Sequence, residues 1–351
     1  MNIFSIDTNI PLLKEILLEN NKTIYTFDSG QITNENLINT NTEFLIARST
    51  LKVNKTLLEN TNVKFVATAT TGMEHFDIDY LNEKSIKYFG AIGANSNSVA
   101  EYIILTILFA FRHNYDDLRD KKVGIIGYGN IGSKVAYYLN EMGINYIICD
   151  PFKDIKHNYD INFLLKDCDI ITLHIPLTTT GQHPTFNLLN KERIKIIKDN
   201  ALLINSSRGN VCDEKELINN SNRLRYIIDT WSDEPNINNK LVDTALISTP
   251  HIAGHSYNGK LNATKMICEE LNKLYNMKLN CNIFIQEEKN KIDMKNYKTL
   301  FETLSKNRKI IDTSNSIKTN IHKNNFDIYF NNFRKNYPNY LETLTCHCYK
   351  N

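Results

Sequence analysis

The sequence has little that would tie its function to a membrane or to nucleic acid. No apolar run reaches the roughly 18 residues that a membrane span needs. Lys and Arg number 41 against 39 Asp and Glu, a net charge of +2, so no surplus of one sign favours nucleic acid or an anionic membrane. Internal repeats are also absent. A globular protein of two or three domains is expected from the 351 residues.

Cysteine is scarce and has no regular spacing. The seven cysteines form no disulfide framework, and the start, MNIFSIDTNIP, has neither the basic segment nor the apolar core of a signal peptide. We therefore expect a reduced, cytoplasmic protein. Cys346-His347-Cys348 near the end does not match a zinc spacing, because its two thiols are one residue apart and accompany a single histidine. No metal is expected.

A glycine-rich turn in the middle of the chain is the strongest motif. Val123 to Ile126 is a short apolar run typical of a buried parallel strand. Gly127-Tyr128-Gly129-Asn130-Ile131-Gly132 follows it and leads into a helix that extends to about Met142. A second strand, Tyr146 to Cys149, ends at Asp150. This strand, turn, helix and strand are the context that a dinucleotide-binding βαβ unit requires.

The three glycines and Asp150 each have a distinct physical role in such a unit. Gly127 permits the tight turn, Gly129 lets the backbone approach a pyrophosphate, and Gly132 lets helix and strand pack closely. The phosphates would sit at the helix N-terminus, where N–H groups and the dipole favour negative charge. Asp150 would accept hydrogen bonds from the ribose and repel a 2′-phosphate, so NAD is favoured over NADP. The alternative is a glycine turn in another kind of α/β protein.

The residues before this motif read as a smaller α/β unit. Three strands are predicted, at Asn2 to Ile6, Phe44 to Ala47 and Lys64 to Thr68. Polar residues follow the last two of them, namely Arg48-Ser49-Thr50 and Ala69-Thr70-Thr71-Gly72. Ligands of such sheets bind at the carboxyl ends of the strands, so this polar edge suits a phosphorylated or carboxylated substrate. Ordinary turn and capping chemistry explains the same residues equally well.

An apolar helix is predicted between the two units. Ser98-Val99-Ala100-Glu101 has the capping-box pattern and so predicts that the helix begins there. The residues that follow, YIILTILFAF, are apolar almost all round, which predicts a buried core or interface helix.

Strands and helices alternate after the glycine motif, which predicts a doubly wound parallel sheet. Polar residues follow these strands, and because the strands are parallel, these residues are expected on the same side of the sheet. Three of the polar residues are candidates for catalysis: Arg208, Glu234 and His251. Histidine is the commonest general acid and base, a carboxylate can fix its tautomer, and an arginine can bind a substrate carboxylate bidentately. Taken singly, each of them is more often structural.

The segments INSSRGNVCDEKEL, IIDTWSDEPNIN and STPHIAGHSYNGK, around these residues, resemble signatures of the D-2-hydroxyacid dehydrogenases. ARSTLKVN, KFVATATTGMEH and PHIAGHSYNGK resemble one branch most, whose members oxidise 4-phospho-D-erythronate on a route to pyridoxal phosphate. The resemblance implies a Rossmann NAD domain at 95–255 and a smaller flavodoxin-like substrate domain at 1–94 and 256–280. It also implies a C-terminal dimerisation domain at 281–351, which we expect to be an α+β appendage.

The resemblance also implies roles for individual residues. Arg208, Glu234 and His251 match the catalytic set, with His251 as the proton-transferring group. Substrate contacts are implied for Ser49, Thr70 and His255, and Arg48 is a candidate for the phosphate. Cofactor contacts are implied for Gly127, Gly129, Asn130, Ile131, Gly132, Asp150, Ile175, Ser206, Ser207, Arg208, Asp229 and Gly254.

Three positions depart from the pattern of that branch. Ile175 stands where a cofactor-contacting threonine is usual, and His255 where a substrate-contacting tyrosine is usual. Ser207 replaces a small residue or cysteine. The expected partner is a small phosphorylated hydroxy acid, with a homodimer as the assembly. The alternatives are oxidation of another 2-hydroxy acid, such as 3-phosphoglycerate, or a non-catalytic NAD-sensing module on the same fold.

Overall fold

The computed structural model describes residues 2–28, 30–283 and 292–346. Its contacts divide the chain into two compact units. The first unit combines Met1–Asn95 with Ser256–Gln286, and the second combines Ser96–His255 with Glu287–Asn351. Two of these divisions fall next to the predicted boundaries at 94 and 255, whereas the predicted third domain at 281–351 forms no unit of its own and is divided after Gln286. Each unit is built on its own parallel sheet.

The first unit has five parallel strands in the order β2-β1-β3-β4-β5, the order of flavodoxin-like sheets. The strands are β1 Ile3–Asp7, β2 Thr23–Phe27, β3 Phe44–Ala47, β4 Phe65–Thr68 and β5 Lys87–Gly90. Its helices are α1 Leu13–Glu19, α2 Asn34–Asn39, α3 Lys55–Leu58, α4 Ile78–Glu83 and, from later in the chain, α12 Tyr257–Tyr275. β3 and β4 are buried along their whole length, because helices cover both faces of the sheet centre.

The two edge strands of this sheet were not predicted. β2 has no fully buried residue, and β5 has one, Gly90. Their sequences, TIYTF and KYFG, are half polar and short. A strand that pairs on one side only is not required to be apolar on both faces, so the signal that identified β3 and β4 is missing here.

The second unit has six parallel strands in the order β11-β10-β9-β8-β6-β7. The strands are β6 Lys122–Ile126, β7 Asn145–Cys149, β8 Ile170–Leu173, β9 Leu202–Asn205, β10 Arg225–Ile228 and β11 Ile247–Ser248. The predicted doubly wound sheet is confirmed. Strand order reverses between β6 and β8, and this is the point at which such sheets bind their ligands.

Helices of the second unit cover both faces of its sheet. They are α5 Ser96–Ala110, α6 Asp116–Arg119, α7 Gly132–Met142, α8 Ile161–Asp167, α9 Lys191–Ile196, α10 Glu214–Asn219 and α11 Asn239–Thr244, with a 3-10 turn at Gly209–Val211. α5 packs against α7 within the main core of the unit. Among the described residues, no helix is both long and apolar enough to cross a membrane.

The predicted capping box at the start of α5 is wrong. The helix begins at Ser96, so Ser98 and Glu101 lie inside it, and both are buried. The Ser98 hydroxyl donates to the Ala253 carbonyl at 3.0 Å. One Glu101 oxygen accepts hydrogen bonds from the backbone N–H groups of Thr343 and Leu344, at 2.7 and 2.8 Å. Both side chains therefore serve tertiary contacts rather than the helix end.

Three helices follow in the C-terminal part of the second unit: α13 Tyr297–Asn307, α14 Ile310–Asn320 and α15 Phe326–Lys335. No strand occurs between residues 292 and 346, which differs from the α+β expectation for this segment. α13 packs against α5, and α14 packs against β11, where the Ser314 hydroxyl accepts the Ser248 N–H at 3.0 Å. His347 and Cys348 of the tail motif lie outside the described residues. Dimerisation through this segment stays a prediction.

Candidate active site

The candidate catalytic residues follow three strands that are neighbours in the second sheet. Arg208 comes shortly after β9, Glu234 after β10, and His251 after β11. Because the strands are parallel, their carboxyl ends meet at one edge of the sheet. The structure brings Glu234 and His251 into direct contact there.

His251 and Glu234 form a hydrogen-bonded pair. The His251 Nδ1 lies 2.8 Å from Glu234 Oε2 and 3.1 Å from Oε1, and the two side chains are 30% and 19% exposed. Glu234 Oε1 also accepts the Trp231 N–H at 3.0 Å, and Arg334 Nη1 lies 3.7 Å from Oε2. Burial acts to raise the pKa of Glu234, but His251, the Trp231 N–H and Arg334 outweigh it, so the net pKa is lowered. The ionised Glu234 therefore accepts a hydrogen bond from the Nδ1–H of His251, which leaves Nε2 available for chemistry.

Asp229 accepts hydrogen bonds from the loop that carries His251. Asp229 is fully buried at the end of β10, and burial raises its pKa. Its two oxygens accept the N–H groups of Ile252 and Ala253 at 2.8 and 2.9 Å, and Thr249 Oγ1 donates to it at 2.6 Å. His251 has a φ of 56°, a left-handed conformation that residues with a Cβ rarely adopt. Asp229, expected from the resemblance to contact the cofactor, thus stabilises the loop that carries His251.

Arg208 stands on a tight turn at the end of β9. Its Nη1 donates to the Ser207 carbonyl at 2.8 Å, and its own carbonyl accepts Asn205 Nδ2 at 2.9 Å. A Cβ at the next residue, Gly209, would lie 1.9 Å from the Trp231 carbonyl carbon. The turns after β9 and β10 therefore approach so closely that only glycine fits between them. Ser206, just before, has a buried hydroxyl with no hydrogen-bond partner among the described residues.

The glycine turn after β6 has the close approaches that the sequence predicts. Gly127 has a φ of 91°, and a Cβ there would lie 2.5 Å from the His174 carbonyl oxygen. A Cβ at Gly132, the first residue of α7, would lie 2.0 Å from the Gly127 carbonyl oxygen. By contrast, a Cβ at Gly129 would meet no atom within 4 Å, so its backbone faces open space. A cofactor pyrophosphate fits this arrangement, with Asn130 and Ile131 lying between Gly129 and the helix.

Asp150, which follows the neighbouring strand β7, accepts a hydrogen bond from the glycine turn. Its Oδ2 accepts the Tyr128 N–H at 2.8 Å, and its Oδ1 accepts the Phe152 N–H at 3.0 Å. The carboxylate is thus placed beside the glycine turn. This position fits the ribose-binding role that the sequence predicts.

The segment after β8 faces the glycine turn from the other side. Ile175 lies there, its Cγ2 2.7 Å from where a Gly127 Cβ would be. A branched apolar side chain at this place cannot provide the hydrogen bond of a threonine. Sequence reasoning missed the preceding residue, His174, whose Nε2 lies 3.0 Å from Thr172 Oγ1 and whose pKa burial lowers to about 3. His174 is therefore a buried, neutral histidine next to the glycine turn.

In the first unit, the predicted substrate residues follow β3 and β4, which are neighbours. Ser49 is exposed at the end of β3. The preceding Arg48 donates from Nε to the buried carboxylate of Asp7 at 3.1 Å. Thr70 Oγ1 lies 2.7 Å from Thr68 Oγ1. Polar groups therefore follow both strands, and two of them, Arg48 and Thr70, also have structural contacts.

The third predicted substrate residue, His255, belongs to the second unit. Its N–H donates to the Ile252 carbonyl at 2.9 Å, and its ring lies 6.0 Å from the ring of Tyr337. Gly254 precedes it in the same loop as His251. Two C-terminal residues near the site, Arg334 and Tyr337, carried no signal in the sequence that would have linked them to His251 or His255.

A doubly wound nucleotide sheet with a histidine–carboxylate pair and an arginine at the carboxyl ends of its strands is the arrangement of a nicotinamide-dependent dehydrogenase. Residues 109–253 match a family model described as the D-isomer specific 2-hydroxyacid dehydrogenase, NAD binding domain. NAD is accordingly the cofactor of the second unit. The protein named erythronate-4-phosphate dehydrogenase from Ruthia magnifica subsp. Calyptogena magnifica is 38% identical over 316 residues, 88% of each chain. The chain therefore belongs to the erythronate-4-phosphate dehydrogenase family, within the D-2-hydroxyacid dehydrogenases.

Other relatives agree with this placement. The protein of the same name from Wigglesworthia glossinidia brevipalpis is 43% identical over 234 residues, and the match spans 65% of this chain and 62% of that relative. Among solved structures, NAD⁺-bound 3-phosphoglycerate dehydrogenase of Entamoeba histolytica is similar with a TM-score of 0.67 at 24% identity. That match covers 81% of this chain and 100% of the other. At such identity the likeness concerns the fold.

Proposed function

We propose that this protein oxidises 4-phospho-D-erythronate to (R)-3-hydroxy-2-oxo-4-phosphooxybutanoate with NAD⁺, in the biosynthesis of pyridoxal 5′-phosphate. The observation that carries the proposal is the His251–Glu234 pair, with Nδ1 and Oε2 2.8 Å apart at the sheet edge that also bears Arg208. A module that only binds NAD has no need of an oriented acid–base pair. The names of the curated relatives support the substrate.

In this proposal each side chain has a distinct task. Oxidation of the C2 hydroxyl removes one proton and one hydride, and bound NAD⁺ supplies the hydride acceptor. His251 takes the hydroxyl proton on Nε2, because its Nδ1–H donates to Glu234. The resulting imidazolium is stabilised by the Glu234 carboxylate. Arg208 binds the substrate carboxylate and stabilises negative charge that develops on the C2 oxygen.

Substrate binding is proposed to involve further residues. Ser49 and Thr70 are proposed contacts, as the resemblance implies, with Arg48 as a cation for the phosphate. His255 is the third, and its ring can donate to a phosphate oxygen where a tyrosine hydroxyl is usual. We also propose a homodimer and a cytoplasmic location; for the latter, the six cysteines in the described part of the chain are all free thiols.

The test is NADH formation by the purified protein with 4-phospho-D-erythronate, 3-phosphoglycerate and D-lactate side by side. A second set contains a 2-oxo acid, so that NADH that stays bound is reoxidised and turnover continues. We expect preference for 4-phospho-D-erythronate, and loss of activity in the His251→Ala variant. Activity on another hydroxy acid alone would reject the substrate but keep the mechanism. Inactivity on all three with normal NAD binding would favour a sensing module.

A further inference from the structure

A buried arginine of the C-terminal segment contacts the loop that carries the catalytic histidine. Arg308 follows α13 and is 1% exposed. Its Nη2 donates to the carbonyls of Ile252 and Ala253 at 2.9 and 2.6 Å. Its Nη1 donates to the Ser98 carbonyl in α5 at 2.7 Å. The guanidinium thus joins three backbone carbonyls from two distant parts of the chain.

The surroundings of Arg308 fix the guanidinium in place. It lies over the rings of Tyr102 and Tyr340, 5.0 and 4.7 Å from their centroids. Ser98 adds a second contact to the same loop, because its hydroxyl donates to the Ala253 carbonyl at 3.0 Å. A planar fork stacked between aromatic rings loses little freedom when it forms these bonds.

Three consecutive peptide groups of this loop are bonded by a carboxylate and a guanidinium, and the middle one, between Ile252 and Ala253, is bonded by both. The carboxylate of Asp229 accepts the N–H groups of Ile252 and Ala253, while Arg308 donates to their carbonyls. Hydrogen bonds to buried charged groups are stronger than neutral ones, and the peptide group between Ile252 and Ala253 has its N–H on the carboxylate and its carbonyl on the guanidinium. The loop after His251 is therefore clamped in one orientation.

His251 needs such support because of its own backbone. Its φ of 56° is unfavourable for a residue with a Cβ and persists only where surrounding contacts impose it. Asp229 binds the N–H of the peptide group that directly follows His251, and Arg308 binds the carbonyls of the next two peptide groups. If these peptide groups rotated, the imidazole would leave the position in which Glu234 orients it.

We propose that Arg308 is a positioning residue for the dehydrogenase reaction, which holds residues 251–254 in the conformation that presents His251 to the substrate. It acts through the loop and touches no reacting atom. The C-terminal helices, through the residue between α13 and α14, thereby become part of the catalytic unit. The inference rests on the proposed activity, and its test includes readouts that need no substrate.

The experiment compares Arg308→Met with wild type and with Arg225→Met. Arg225 is a matched control in the same unit: it lies 5.1 Å over the Phe111 ring and donates to the Asn200 carbonyl at 3.2 Å. It is the first residue of β10 and so lies at the amino ends of the parallel strands, whereas His251 lies beyond their carboxyl ends. Turnover is expressed per NADH-binding site, with binding measured by nicotinamide fluorescence. Amide hydrogen exchange is followed by mass spectrometry on peptides covering 249–256.

For Arg308→Met we expect kcat per binding site to fall about 10- to 100-fold, because a catalytic group misplaced by about 1 Å costs on that order. KM should stay within about threefold, and exchange should accelerate in 249–256 but not in the sheet strands. Arg225→Met should retain kcat and the exchange of that segment. Normal kcat in Arg308→Met, or exchange that accelerates equally throughout the unit, would overturn the proposal.

If Arg308→Met does not fold, Arg308→Lys is the variant that tests the proposal. An ammonium keeps the charge but cannot donate in the fixed fork that reaches carbonyls on both sides. We expect a folded protein with a smaller loss of kcat and faster exchange confined to 249–256. Wild-type turnover together with wild-type exchange in that variant would reject the role. If wild type itself oxidises none of the substrates, the proposed function fails, while the exchange comparison still tests the clamp.

Discussion

The Glu234→Gln variant isolates the part that the carboxylate plays in catalysis. Glu234 accepts two hydrogen bonds: Oε1 takes the Trp231 N–H at 3.0 Å, and Oε2 lies 2.8 Å from His251 Nδ1. A glutamine of the same shape has one acceptor and one donor. If its oxygen serves Trp231, its NH₂ faces Nδ1, and the imidazole must then carry its proton on Nε2. In that tautomer His251 cannot accept the substrate proton.

The size of the loss follows from these contacts. Replacing a hydrogen bond to a charged acceptor by a neutral one costs about 1–2 kcal/mol. Restoring the active tautomer requires the amide to turn over, which leaves its NH₂ against the Trp231 N–H and costs about 1–3 kcal/mol more. The pair is only 19–30% exposed, so water replaces these bonds poorly. Together the effects predict a fall in kcat of roughly 30-fold to a few thousand-fold.

The assay is steady-state NADH formation with the preferred substrate, with NADH binding measured in parallel. Glu214→Gln is the control: its Oε1 accepts the Ser232 N–H at 2.8 Å, close to Glu234 in the same unit, and the hydrogen bonds that hold His251 come from other residues. We expect that control to keep kcat within about threefold. A Glu234→Gln enzyme with kcat within about threefold of wild type would refute the assignment of Glu234 as the residue that orients His251.

Two further predictions concern a buried carboxyl group and the cofactor. Burial raises the pKa of Glu101 from 4.5 to about 7, so the folded state favours the protonated carboxyl group. This contribution to the free energy of unfolding is complete below pH 4.5 and is lost as the pH rises through 7. Glu101→Gln cannot ionise and should therefore gain stability over wild type between pH 5 and 8, by at most about 3 kcal/mol; a difference in Tm that does not change with pH would contradict this. Asp150→Asn keeps the acceptor for the Tyr128 N–H but removes the charge that repels a 2′-phosphate. The ratio of kcat/KM for NAD⁺ over NADP⁺ should fall at least tenfold, and an unchanged ratio would remove Asp150 from cofactor selection.

The central strands were predictable because their sequences carry the burial signal locally. β3 was predicted at its observed bounds, and β4, β6 and β7 within one residue, since each is an apolar run closed by a polar residue. β2 and β5 were missed, because edge strands need no such run. Which strand became an edge was decided by pairing across the sheet.

Side chains also differ in whether local sequence or tertiary packing decides their contacts. Ser98 and Glu101 fit a capping box in the sequence, yet the structure uses them to bind residues 155 and 242 positions away. The sequence pattern described a possible local contact, and the tertiary fold supplied stronger partners for the same groups. Local rules fail in this way when a buried polar side chain has a distant backbone group to satisfy.

By itself, the sequence determined the nucleotide turn, the parallel order of strands and helices, and the set of polar residues at the strand ends. These follow from steric limits and periodicities that act within a few residues, such as the space that Gly127 and Gly132 leave free. Only the tertiary structure decided that Asp229 and Arg308 hold the loop of His251 from two sides. Arg308 lies 55 positions from Ala253 and 210 from Ser98. No local pattern encodes such contacts, because they exist only once the C-terminal helices have packed on the second unit.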